Sequence, residues 1–123
     1  MTSSNLIQEK SYQFALSVVE FCRILAEEKR EYIMSKQLLK SGTSIGANVE
    51  EAIHAPSKKD FVNKLSISLK EAHESWYWIR LIKDSGYAES KKGEIQKLSN
   101  DISEIIALLT SIIKTARLSL DES

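Results

Sequence analysis

An all-α fold, an antiparallel up-down-up-down bundle of four helices, is what this 123-residue sequence predicts. Three observations carry it. Four segments repeat apolar residues at 3–4 spacing, as amphipathic helices do. No segment alternates apolar and polar residues as a half-buried strand would. The turn signals are few and fall between the four segments: the charged run 27–31, Ala55-Pro56-Ser57, and Ser85-Gly86. Helices of similar length joined by such short links pack as antiparallel neighbours. The expected ranges are about 5–29, 32–54, 58–84 and 89–119, in a single domain spanning 1–123.

In the first helix Asn5 is the expected N-cap, and Ile7, Phe14, Val18, Phe21 and Leu25 form the core stripe. Glu27-Glu28-Lys29-Arg30-Glu31 is expected to be a solvated link or a frayed helix end, too polar to bury. The second helix is rich in small residues, and its packing face is Gly42, Ile45, Gly46 and Val49. Two interior glycines cost about 1 kcal/mol each against alanine, which a helix tolerates when another backbone must come close. Pro56 lacks the N–H to continue that helix, and Ser57 is the expected N-cap of the third, with Asp60 as its capping-box partner.

The third helix has Phe61, Leu65, Leu69, Ala72, Trp76 and Ile79 as its expected stripe. Ile67, Trp78 and Leu81 point elsewhere; the aromatic surface among them either meets another subunit or, as Trp78 with Tyr77, covers the end of the bundle. Gly86 stops it. The fourth carries a heptad seam of Ile95, Leu98, Ile102, Ile105, Leu109, Ile112 and Ala116. Ile106, Leu108, Ile113 and Leu120 widen that seam beyond one stripe, as in a helix that is either central or shared with a partner chain. Trp78, Ile106 and Ile113 are therefore candidate oligomer-interface residues.

Composition narrows the function classes. With 17 basic and 17 acidic residues the formal charge is zero, which speaks against a dominating nucleic-acid field but leaves room for a local basic patch. A lone Cys22 cannot form an intramolecular disulfide and fits a reducing, cytoplasmic compartment. No apolar run approaches a membrane span, and the polar N-terminus does not read as a signal peptide.

The motifs that could carry chemistry each have a plainer reading. Gly42-Thr-Ser-Ile-Gly-Ala-Asn48 lacks the preceding strand and the glycine spacing of a phosphate loop. Glu51-Ala-Ile-His54 has the Glu-x-x-His spacing of di-iron bundles, but that chemistry needs a second such motif, which is absent. His73 has no partner nucleophile that order or spacing can supply, and Cys22 lies on a core-type face. No catalytic residue, metal ligand or cofactor site is expected, and the chain reads as non-enzymatic. Lys36 and Lys40 lie one turn apart, while Lys58, Lys59 and Lys64 open the third helix. Lysines in a first turn oppose the helix dipole, and that tolerated cost favours an anionic partner.

From Gln37 to Ile82, and on to Ser85-Gly86-Tyr87, the sequence resembles the bacterial four-helix-bundle family named after proteins encoded in intervening sequences of 23S rRNA genes. The resemblance rests on Ser41-Gly-Thr-Ser-Ile-Gly-Ala-Asn48, Glu51-Ala52, Ser57-Lys58 and Asp60-Phe61. It continues through Lys64-Leu-Ser-Ile67, Leu69-Lys-Glu-Ala72, Glu74-Ser75 and Tyr77-Trp78. It implies an antiparallel bundle that assembles as a homo-oligomeric ring, with pentamers known in the wider family. A related branch, the accessory variability determinant of diversity-generating retroelements, is a basic protein that partners a reverse transcriptase and nucleic acid. This chain departs from that branch in its zero net charge. Two expectations follow: an RNA-associated accessory oligomer whose Lys36, Lys40, Lys58, Lys59 and Lys64 touch nucleic-acid backbone, or a protein-interaction scaffold that binds none.

Overall fold

A computed structural model describes residues 2–121. Four helices follow in order: α1 (Ser3–Lys29), α2 (Ile33–Ile53), α3 (Lys58–Asp84) and α4 (Lys92–Asp121), the last preceded by a 3₁₀ turn at Glu89–Lys91. Among the described residues there is no strand. α1 packs on α2 and α4, and α3 packs on the same two, so the helices stand at the corners of a square in chain order. The all-α antiparallel bundle expected from the periodicity is the fold observed.

Local chemistry sets the ends. Thr2, not Asn5, caps α1: its Oγ1 accepts from the Asn5 backbone N–H at 3.1 Å. Ser57 caps α3 as expected. Its Oγ accepts from the Asp60 N–H at 3.1 Å and its hydroxyl donates to Asp60 Oδ2 at 2.9 Å, so Asp60 answers the Ser57 side chain where a capping box would answer its backbone N–H. Gly86, at φ 88°, takes the left-handed position beyond α3.

The α1–α2 link departs from expectation. Glu31 is only 7% exposed. Its backbone N–H donates to the Leu25 carbonyl at 3.2 Å, a Schellman closure with Arg30 in the left-handed region at φ 53°. Its carboxylate accepts from the N–H groups of Ile33, Met34 and Ser35 at 3.0, 2.9 and 2.8 Å. One residue thus ends α1 through its backbone and begins α2 through its side chain. Burial of this charge is tolerated because three orphan N–H donors of α2 meet it.

The core runs along the square's centre: Phe14, Val18 and Leu25 of α1, Leu38, Ile45 and Val49 of α2, Leu65 and Ile79 of α3, Ile102, Ile105 and Leu109 of α4. Two stripes are shifted from those expected. On α3 the buried positions are Val62, Leu65, Ser68, Ala72, Ser75, Ile79 and Ile82, while Phe61, Leu69 and Trp76 are only partly buried. On α4 the seam steps from Leu109 to Ile113 rather than Ile112. A straight helix of 3.6 residues per turn drifts about 20° per heptad from a strict 3.5 repeat, so the last core residue falls one position later.

α2 is the tightest-packed member. On one side a Cβ at Gly42 would meet Val18 Cγ1 of α1 at 2.9 Å, and one at Gly46 would meet the Ser11 carbonyl oxygen at 3.4 Å. On the other, the Ser68 hydroxyl of α3 donates to the Ile45 carbonyl at 2.8 Å. Ser75 Oγ lies 2.9 Å from both Ser41 Oγ and the Glu71 carbonyl oxygen. Small side chains let the backbones approach, and serine hydroxyls buried between them find acceptors there.

Candidate nucleic-acid interface

The five lysines singled out in the sequence do not form one patch. Lys36 and Lys40 stand exposed on the first two turns of α2. Lys58, Lys59 and Lys64 open α3, at the other end of the bundle. From Lys36 to the end of α2 at Ile53 the helix rises about 26 Å at 1.5 Å per residue. Lys64 is also partly spent: its Nζ lies 3.5 Å from Glu51 Oε1. Lys58 Nζ donates to the Ser119 hydroxyl of α4. Lys36, Lys40 and Lys59 are exposed and make no ion pair among the described residues.

The other motifs settle into structural roles. The Gly42–Asn48 stretch is helix throughout, and its polar side chains bond back to their own turn. Thr43 donates to the Leu39 carbonyl at 2.7 Å, Ser44 to Lys40 at 2.6 Å, and Asn48 to Ser44 at 2.8 Å. His54 caps α2, with Nδ1 3.0 Å from the Glu50 carbonyl oxygen. Glu51, its partner in the Glu-x-x-His spacing, faces Lys64 instead. Among the described residues no three His, Cys, Asp or Glu side chains gather as metal ligands would. Burial, with the Glu31 charge behind it, pushes the Cys22 thiol up to about 12, so it stays protonated and unreactive at neutral pH.

Of the three residues expected at a subunit interface, Ile113 lies in the core at 4% exposure and has no surface to offer a partner. The shift of the α4 seam put it there. Ile106 and Trp78 are partly buried. Trp78 meets Tyr77 edge-on with ring centroids 5.0 Å apart, and its buried Nε1 finds no acceptor among the described residues. Large apolar side chains at the surface include Tyr12, Leu16 and Val19 on α1 and Ile67, Tyr77 and Leu81 on α3.

Sequence reading by clusters along the chain missed a set of cations on α3 and α4 that are far apart in sequence: Lys70, Arg80, Lys114 and Arg117, all exposed. Helical spacing was the available signal, since Lys70, Tyr77 and Arg80 fall at i, i+7 and i+10. The Arg80 guanidinium carbon lies 5.2 Å from the Trp76 ring centre and 6.0 Å from that of Tyr77. No helix among the described residues is long and apolar enough to cross a membrane.

Residues 3–111 match the sequence pattern of the family described as 23S rRNA-intervening sequence protein. A solved structure from Bacteroides thetaiotaomicron VPI-5482, described as a protein with unknown function from the S23 ribosomal protein family, is similar at 45% identity and a TM-score of 0.87. The similarity covers 92% of this chain and 99% of that one. No curated protein matches the chain.

Proposed function

The chain belongs to the 23S rRNA-intervening sequence protein family, and from that premise we propose that it is a non-enzymatic accessory protein that contacts RNA or another nucleic acid through exposed lysines. The observation that carries this reading is that Lys36, Lys40 and Lys59 project from the helices with no acidic partner among the described residues, in a chain whose acids and bases are equal in number. The mention of 23S rRNA in the family's description supports a ribosomal-RNA context. A lone, buried Cys22 fits a reducing compartment, the cytoplasm.

A lysine neutralising a phosphate releases a counterion, so affinity falls with salt by a slope of about −0.7 to −0.9 per contact. Fluorescence anisotropy of a labelled RNA across a salt series is the test. Binding that weakens steeply with salt, and weakens again in Lys36→Glu, Lys40→Glu and Lys59→Glu, is expected. Salt-insensitive or absent binding overturns the reading. In that case a protein-interaction scaffold is favoured, because Tyr12 at 61%, Ile33 at 77% and Leu118 at 56% exposure present apolar surface at three places.

A further inference from the structure

The ion pairs of this bundle are unevenly placed. On α1, and across to α4, three cations are matched, while Lys29 and Arg30 at the end of α1 are not: Lys10 with Glu104 at 2.9 Å, Arg23 with Glu20 and Glu27 at 2.6 and 2.7 Å, Lys97 with Asp101 at 2.7 Å. On the side formed by α3 and α4, Lys70, Arg80, Lys114 and Arg117 are exposed and enter no ion pair among the described residues. Glu74, one turn from both Lys70 and Tyr77, and Asp121 at the end of α4 are exposed there too and enter no ion pair among the described residues, so the side carries clustered free cations with two free acids among them.

Two contacts set the register of that side. Arg117 donates to the Ser66 hydroxyl at 3.4 Å, and Lys83 donates to Gln96 Oε1 at 3.4 Å. Lys70 lies four residues beyond Ser66 on α3, and Lys114 three residues before Arg117 on the antiparallel α4, so the two lysines stand level. Between the helices runs a groove of about 270 Å³ with Leu69 and Ile113 at its floor and Lys114 and Arg117 on its rim. Asp121 is the acid among its lining residues, at the far end of α4. Ten residues along α3 from Lys70, about 15 Å on, Arg80 lies over Trp76 and beside Tyr77, which is 50% exposed.

A row of unpaired cations leading to an exposed aromatic held by an arginine is the combination that takes a single strand: charges follow the backbone, and a ring takes an unpaired base. We infer that single-stranded nucleic acid lies along the α3–α4 face, its phosphates on Lys70, Lys114 and Arg117 and one base stacked on Tyr77. The inference rests on the nucleic-acid reading above and moves its site away from α2 and the start of α3. A duplex, whose bases are already stacked, gains only the backbone contacts. An acidic polypeptide would use the cations and ignore the ring.

Anisotropy of a fluorescein-labelled 12-nucleotide RNA, its DNA counterpart, the matching duplex, and poly-glutamate as competitor separates these. The full chain should bind both single strands better than the duplex. Lys70→Glu with Lys114→Glu should weaken binding about tenfold or more and flatten the salt slope. Tyr77→Ala should weaken single-strand binding about tenfold and leave the duplex unchanged, with Tyr77→Phe restoring it. If the chain binds RNA but loses it only in Lys36→Glu and Lys40→Glu, this site is wrong while the nucleic-acid reading stands. If poly-glutamate displaces the strand as well as unlabelled RNA does, and Tyr77→Ala changes nothing, the face is a plain anionic-polymer surface and the inference falls. If no probe binds, both readings fall. All five substituted positions are exposed, so circular dichroism of the variants should match that of the parent chain.

Discussion

Gly42 and Gly46 look alike in sequence and differ in what they touch. At Gly42 a methyl would fall 2.9 Å from Val18 Cγ1 and 3.0 Å from Cγ2. Val18 is fully buried and β-branched, so it has little freedom to turn aside. At Gly46 the nearest atom is 3.4 Å away, so a methyl fits against the Ser11 backbone. Gly42→Ala should therefore lose about 1–3 kcal/mol to overpacking, less whatever helix propensity returns. Gly46→Ala should be neutral or gain up to about 1 kcal/mol, whereas Gly46→Leu adds three carbons beyond a Cβ already in contact with Ser11 and should destabilise. Urea denaturation of the three variants checks the order; Gly42→Ala as stable as Gly46→Ala would mean that Val18 yields. Glu31 makes a second residue-level case. Glu31→Ala strips three α2 N–H groups of their acceptor at a site only 7% exposed. Loss of a cap plus unmet buried donors should cost about 1–3 kcal/mol. A change under a few tenths of a kcal/mol in the same experiment would show that water replaces the carboxylate.

At the scale of the element, legibility followed the strength of the physical signal. The helices lie where apolar periodicity, Pro56 and Gly86 put them, because a 3.6-residue repeat and a missing N–H act locally. Stripes were less legible. Ser68 and Ser75 are polar on any scale, yet they are buried because α2 opposite them offers the Ile45 carbonyl and the Ser41 hydroxyl within reach. That contact depends on the partner helix and not on α3 alone. Glu31 was misread for the same reason: five charged or polar residues in a row look solvated, and only the fold shows that α2's first three N–H groups need an acceptor there. The lysines were read as sequence clusters, but charge acts through space. Lys36 and Lys58 end up at opposite ends of the bundle, while Lys70 and Lys114, distant in the chain, end up at the same level along α3 and α4.

For the whole molecule the question is assembly, for which the surface supplies an argument beyond excess apolar area. Tyr12, Leu16 and Val19 lie at i, i+4 and i+7 on α1, a single outward stripe that is 61, 48 and 49% exposed. A second apolar surface lies on α3, where Ile67 and Leu81 are exposed beside the half-buried Trp78. α1 and α3 occupy diagonal corners of the square, so these two surfaces face different ways. A two-fold dimer joins one patch to its own copy, whereas two different patches suit head-to-tail contact, which closes into a ring when the rotation allows. The homo-oligomeric ring, a pentamer by resemblance to the wider family, is proposed on that ground. Light scattering after size exclusion at micromolar concentration should then show an oligomer for the parent chain. Leu16→Glu and Leu81→Glu each remove one half of every contact and should each give monomers. Mixed in equal amounts, the two variants should give a dimer and stop there, because each keeps the one patch that the other lacks, and a single intact contact joins them. A monomeric parent chain rules out the ring. An assembling parent whose two variants stay monomeric on mixing rules out pairing of the α1 patch with the α3 patch, since that mixture contains both intact halves of it.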